Sequence, residues 1–150
     1  TLPLYIDGAD EVDPAFAMIK GGGGALTREK IVASVATTYI CIIDESKRVD
    51  RLGNHFPLPI EVISMARHAV MRKLHDWGAH AVWRKGMVTD NGHDILDVTG
   101  LNLLDPQHME KQLDCIPGVV ECGIFALRRA DRLIVGTPHG VDVLDAPELL

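Results

Sequence analysis

The sequence predicts an α/β protein in two parts, a parallel-sheet unit and a smaller α+β unit. Three observations predict it. Apolar runs of strand length end in an acid at Asp7 and again at Asp44, with a helical pattern between them. Four consecutive glycines, Gly21 to Gly24, lead straight into that helical pattern. From Pro57 onward the chain changes to a more alternating style with strong turn signals.

Leu2 to Asp7 reads as a short strand, and Asp7-Gly8-Ala9-Asp10-Glu11 as an acidic turn after it. Beyond the glycines, Ile31, Val32, Val35 and Ala36 give a helical apolar face, with Thr27 as the expected N-cap. Tyr39 to Asp44 is continuously apolar up to its last residue, which fits a parallel strand buried on both faces. This is a partial Rossmann-like parallel sheet. Leu58 to Ile63 reads as a strand and Met65 to Trp77 as a helix with Met65, Ala69 and Leu74 on its apolar side. Ala79 to Trp83 begins a meander whose turn is Asp90-Asn91-Gly92, a strong hairpin signal, and Ile95 to Val98 returns as a strand. Asp105-Pro106 opens a helix that runs to Ile116, and Val119 to Leu127 reads as one further strand. The order β-α-β-β-α-β is ferredoxin-like. Residues 1–56 therefore form part of the α/β unit and 57–131 the ferredoxin-like unit, while 132–150, with a strand over Leu133 to Thr137, are expected to return to the first.

A chain of 150 residues with 47% hydrophobic and 24% charged residues has enough apolar content for a real core. No apolar run approaches the roughly 18 residues of a membrane span, so no membrane role is expected. The net charge is −6 and the basic residues are scattered, which speaks against nucleic acid as a partner. Cys41, Cys115 and Cys122 are an odd number without CxxC spacing, read as reduced, packed thiols of a cytoplasmic protein. The seven histidines show no HxH or HxxxH clustering, so no metal site is expected.

Ligands gather outside the carboxyl ends of strands in an open parallel sheet, where Asp7 and Asp44 lie. Asp7 and Asp10 are thereby aimed at a crevice, although Asp-Gly is also an ordinary turn signal. Lys20 followed by Gly21, Gly22, Gly23 and Gly24 allows main-chain amides to approach an anion, with Lys20 as the accompanying cation. A flexible linker is the plain alternative, but this stretch joins two apolar elements without polar company. Glu29 falls in the first helical turn, where the helix dipole favours its charged form. Taken alone, that is common charge complementarity, and Lys47 taken alone is a loop lysine.

Together, Tyr5-Ile-Asp-Gly-Ala-Asp-Glu11, Lys20-Gly-Gly-Gly-Gly-Ala-Leu-Thr-Arg-Glu-Lys30 and Ile42-Ile-Asp-Glu-Ser-Lys47 resemble consecutive signature blocks of the metal-independent ribose-5-phosphate isomerase A family, in order and in interval. Phe56-Pro-Leu-Pro-Ile-Glu-Val62, Val88-Thr-Asp-Asn-Gly92, Ile95-Leu-Asp-Val98 and Ile116-Pro-Gly-Val-Val120 extend the resemblance along nearly the whole chain. It implies that Asp7, Gly8, Ala9, Asp10, Lys20, Gly21, Gly22, Gly23 and Lys47 bind the sugar phosphate. It implies Glu29 as the proton acceptor, with Asp7, Asp10 and Lys20 assisting. The implied reaction interconverts ribose 5-phosphate and ribulose 5-phosphate in the pentose phosphate pathway, without a cofactor, and the expected assembly is a homodimer or homotetramer.

The family also carries an N-terminal region with a Gly-Ser-Thr-type loop that grips substrate, and nothing before Thr1 supplies it. The expectation is that this polypeptide alone would isomerise more slowly than one carrying that region. Rival readings on a related scaffold are a non-catalytic sugar-phosphate sensor of the DeoR type, against which Glu29 beside Lys20 argues, glucosamine-6-phosphate deaminases and coenzyme A transferases. A fragment kept only for assembly is a further rival.

Overall fold

Strand β1 (Leu2–Asp7) and strand β4 (Ala36–Asp44) are joined by the glycine loop and helix α1 (Leu26–Val35), and they pair in parallel, Tyr5 opposite Tyr39 and Asp7 opposite Cys41. The computed structural model describes residues 1–149. Strand β10 (Arg132–Thr137) lies parallel to β4 on its other side, and β11 (Gly140–Asp145) closes the sheet as an antiparallel hairpin partner of β10. The sheet order is β1-β4-β10-β11. Residues 132–145 thus share a sheet with residues 2–44; β11 was not expected.

The second large sheet is antiparallel and has the order β6-β7-β5-β8, built from β5 (Leu58–Val62), β6 (His80–Trp83), β7 (Asp94–Thr99) and β8 (Val119–Cys122). Helix α2 (Arg67–Asp76) connects β5 to β6 and helix α3 (Pro106–Asp114) connects β7 to β8, which completes the ferredoxin-like order. Asp105 caps α3 by accepting from the His108 amide, and Pro106 opens it.

A third, small sheet of β2 (Glu11–Val12), β3 (Met18–Ile19) and β9 (Ile124–Phe125) stands between the other two. The expected single strand over Val119 to Leu127 is therefore two strands in two sheets. Gly123 makes the break: its amide donates to the Pro59 carbonyl at 2.8 Å and its carbonyl accepts from the Lys20 amide at 2.9 Å. A side chain there would fall 2.3 Å from the Lys20 carbonyl oxygen. Two apolar clusters result, one around Ile60, Leu74, Leu96 and Leu113, the other around Met18, Leu26, Tyr39, Phe125 and Val135.

Several local expectations are corrected. Thr27 does not cap α1; Ala25 occupies that place with no side-chain bond, and the Thr27 hydroxyl donates instead to Glu61. Helix α1 buries Leu26 and Ala33, with Lys30 reaching inward between them, and this turns Ile31, Val32 and Val35 out to solvent. Strand β4 alternates rather than being buried on both faces, with Ile42 exposed between Cys41 and Ile43. Met65 and Ala69 are exposed, and α2 packs through Val70 and Leu74. Asp90-Asn91-Gly92 does turn the chain, but at the tip of a ten-residue connection, 84–93, rather than in a tight hairpin. Glu11 is buried, accepting from the amide of Phe56 at 2.6 Å. Cys41 and Cys122 are buried free thiols, whereas Cys115 is exposed.

Candidate active site

At the carboxyl end of β1 the chain turns through Gly8, Ala9 and Asp10, and beside it the glycine loop enters α1. The two segments and the first turn of α1 enclose a crevice of about 270 Å³ lined by Asp7, Gly8, Ala9, Asp10, Lys20, Gly21, Gly22, Gly23 and Glu29. Every candidate residue from the sequence lines it except Lys47. That lysine lies half-buried in the 3₁₀ turn Glu45–Lys47 after β4.

Lys20 is the centre of the crevice. Its side chain is only 3% exposed, and its ammonium lies 3.1 Å from Asp7 and 3.2 Å from Glu29 while also donating to the Gly8 carbonyl. A buried ammonium needs such partners, and here it has two carboxylates and a carbonyl. The two carboxylates differ. Burial holds the Glu29 carboxyl above the usual glutamate range against the pull of Lys20, and the Asp7 charge adds to the rise. Burial pushes on Asp7 in the same direction, but hydrogen bonds from Tyr5 and the Gly8 amide together with the Lys20 charge hold it below the usual range. The environments thus push the two acids apart, Asp7 below and Glu29 above the usual carboxylate range.

The glycine loop is shaped for close approach. Gly21 and Gly24 have φ of 112° and 81°, which side chains rarely adopt. The Gly22 amide donates to Asp10 at 2.8 Å. Beyond Gly23 there is open space.

Three further residues contact the segments of the crevice: Tyr5 and Glu61, which lie in the resembling blocks without an expected role, and Arg84, which lies outside them. Tyr5 stacks against Tyr39 with ring centroids 4.8 Å apart and gives its hydroxyl to Asp7. Glu61, fully buried on β5, accepts from Thr27, Thr89 at 2.8 Å and Asn91 at 3.1 Å, with His93 Nδ1 at 2.9 Å. It fastens the first turn of α1 to the 84–93 connection. Arg84 reaches the glycine loop itself. The Tyr5–Asp7 bond spans two residues, but the Tyr5–Tyr39 stack and the contacts of Glu61 and Arg84 join segments tens of residues apart, and no spacing rule reveals those.

Asp114, Glu121 and Cys122 place their ligand atoms within 4.8 Å of one another, the one such group among the described residues. The Lys30 ammonium sits on it, 2.8 Å from Glu121 and 3.9 Å from the Cys122 sulfur, so a side-chain cation already fills the place a metal would take. Burial pushes the Cys41 thiol up to about 12, which removes it as a nucleophile.

The family model for ribose 5-phosphate isomerase A (phosphoriboisomerase A) matches residues 1–140. The chain belongs to this family. It is 59% identical over 145 residues to the ribose-5-phosphate isomerase A of Bordetella pertussis and 58% identical to that of Haemophilus influenzae, covering 97% of this chain in both cases. It spans 64% and 66% of the length of those two relatives. The crystal structure of the family member from Neisseria gonorrhoeae superposes with a TM-score of 0.95 at 51% identity, over 98% of this chain and 66% of that one. A D-ribose-5-phosphate isomerase solved in complex with phospho-erythronic acid gives 0.92 at 46% identity, over 95% of this chain and 65% of that one. No helix among the described residues is long and apolar enough to cross a membrane.

Proposed function

We propose that the protein, in its native length, interconverts ribose 5-phosphate and ribulose 5-phosphate in the pentose phosphate pathway, with the crevice as its active site. The observation that carries the reading is the buried Lys20 ammonium bridging Asp7 and Glu29 beside a glycine loop whose Gly23 amide has no partner among the described residues.

An aldose-to-ketose isomerisation removes the proton from the carbon next to the aldehyde and returns one to the aldehyde carbon. A single base on one face suffices. Glu29 takes the proton from C2, and the electron pair left behind forms an enediolate with its negative charge on O1. The O2 hydrogen passes to O1, Glu29 delivers its proton to C1, and the ketone remains at C2. Lys20 and the Gly23 amide stand beside the developing oxyanion, where fixed positive partners lower the barrier most, while the Gly22 amide holds Asp10. Asp7 and Asp10 hold substrate hydroxyls, one of them accepting the ring hydroxyl proton on opening, and Lys47 adds to the binding of the sugar phosphate. Proton and charge are both handled by side chains and amides, so the scheme uses no metal or cofactor.

Support for the substrate comes from relatives named for this isomerisation, one of them bound to phospho-erythronic acid, a four-carbon acid phosphate whose carboxylate imitates the enediolate. We further propose that residues 1–56 with 132–150 and residues 57–131 are the two domains, and that the working form is a cytoplasmic homodimer or homotetramer.

The test is turnover of ribose 5-phosphate by the native-length protein in heavy water. The product should carry deuterium from solvent at C1. Absence of turnover, or turnover with complete retention of the original hydrogen in every product molecule, sinks the proton-transfer reading.

A further inference from the structure

Arg84 follows β6 and folds back onto the glycine loop. Its guanidinium forks onto Asp97 of β7, Nε to Oδ2 at 2.9 Å and Nη2 to Oδ1 at 2.6 Å. The remaining arm, Nη1, donates to two successive loop carbonyls, Gly21 at 3.1 Å and Gly22 at 3.0 Å. These peptide units are trans and planar, so each carbonyl points opposite to the amide that follows it. Holding both carbonyls on Arg84 therefore turns the amides of Gly22 and Gly23 away from it. The Gly22 amide meets Asp10 at 2.8 Å. The Gly23 amide has no partner among the described residues, and Gly23 lines the crevice with open space beyond its Cα.

The same connection braces the end of the loop. Met87 lies where a Gly24 side chain would stand, its methyl 1.7 Å from that position, and its sulfur is 3.6 Å from Arg84 Nη1. Asp97 sits on β7 opposite Val82 of β6 and Pro59 of β5, so the fork is anchored in the middle of a sheet rather than on another loop.

We propose that Arg84 is a positioning residue that fixes the Gly22 amide on Asp10 and the Gly23 amide toward a bound sugar phosphate. What the Gly23 amide holds rests on the isomerase reading; how the amides are held rests on the geometry above. The Arg84 charge is matched by Asp97 and its contacts are to loop carbonyls, so it acts through the loop and not on the reacting atoms. Lysine cannot substitute fully, because one ammonium lacks the fork that grips Asp97 and two carbonyls together.

The native-length protein is compared as wild type, Arg84→Ala, Arg84→Lys and Asp97→Asn. KM and kcat for ribose 5-phosphate are measured on active-site-titrated protein, the affinities for phospho-erythronic acid and inorganic phosphate by calorimetry, and the Gly22 and Gly23 amide resonances by NMR. Arg84→Ala should move both resonances in the free protein and raise KM and the Kd for phospho-erythronic acid together by about tenfold, the size expected for losing one charge-assisted hydrogen bond's worth of orientation. Arg84→Lys and Asp97→Asn should fall between it and wild type. Unchanged KM, Kd and resonances in folded Arg84→Ala overturn the proposal, as does a loss confined to thermal stability or active fraction, the mark of a merely structural role. Should Arg84→Ala fail to fold, wild-type values in Arg84→Lys and Asp97→Asn overturn it equally. A wild type that does not isomerise refutes the isomerase reading alone, since the resonances and the phosphate affinity still report on Arg84.

Discussion

The ammonium of Lys20 stands 3.2 Å from the carboxylate of Glu29, close enough to influence its proton affinity and, in the proposed reaction, to face the charge that Glu29 creates. Burial raises Glu29, Lys20 opposes the rise, and Asp7 adds to it. Replacing Lys20 by Met removes the opposing charge and leaves the other two, so Glu29 should titrate at higher pH than in the wild type. In the proposed reaction the deprotonated carboxylate is the active form, so the acid limb of kcat/KM should move upward with it. A carbon-13 titration of the Glu29 carboxyl in both proteins measures this directly. A downward shift would mean that Lys20 is not the group restraining it.

Next to Glu29, Lys30 points the other way and does different work. Its ammonium contacts Glu110 at 2.9 Å, Glu121 at 2.8 Å, and the carbonyls of Cys122 and Ile124, each at 2.7 Å. Truncation in Lys30→Ala leaves two acids and two carbonyls facing a partly dry hole, and removing one partner of a buried ion pair typically costs ~3–5 kcal/mol. Urea unfolding should show a loss of that size. A loss under about 1 kcal/mol would show that water replaces the ammonium freely.

These two neighbours illustrate how much was legible. Asp7, the glycines, Lys20 and Glu29 belong to short segments whose local chemistry is visible in the sequence: an acid closing a strand, glycines before a helix, a carboxylate in its first turn. What failed was whatever depended on a distant segment. Ile31 and Val35 read as a core face, yet Lys30 reaching the carbonyls of Cys122 and Ile124 sets which side of α1 turns inward. Val119 to Leu127 reads as one strand because only the approach of two distant segments, at Lys20 and Pro59, to Gly123 breaks it. Arg84 and Glu61 show no site chemistry in their own segments until the glycine loop and the first turn of α1 are folded against them.

Asp114 gives a pH-dependent prediction. Although Asp114 is exposed over part of its surface, partial burial and then the neighbouring charge of Glu121 push its carboxyl up to about 6, against the pull of Lys30. The folded protein therefore binds this proton more tightly than the unfolded chain, whose aspartate titrates near ~3.9. The sign follows: ionised Asp114 destabilises the fold above about pH 6, and the penalty fades as pH falls toward the unfolded value. Asp114→Asn should accordingly raise Tm at pH 7.5, with the gain shrinking toward zero near pH 4. A gain constant across that range would point to packing instead of charge.

Glu29→Gln is the decisive substitution for the chemistry, because it keeps the shape of the side chain and removes the proposed base. General base catalysis is worth typically ~10²- to 10⁴-fold, so kcat in the native-length protein should fall by about that much. The affinity for phospho-erythronic acid should change little, since the amide still fills its place and Lys20 keeps Asp7 as a partner at 3.1 Å. In heavy water the same carboxylate that carries the proton also lets it exchange, so isomerisation and deuterium incorporation should fall together. That joint loss separates the base from a residue that only binds. If Glu29→Gln turned over at near-normal rate with incorporation intact, the proton acceptor would have to be sought at Asp7 or Asp10, the other two carboxylates that line the crevice.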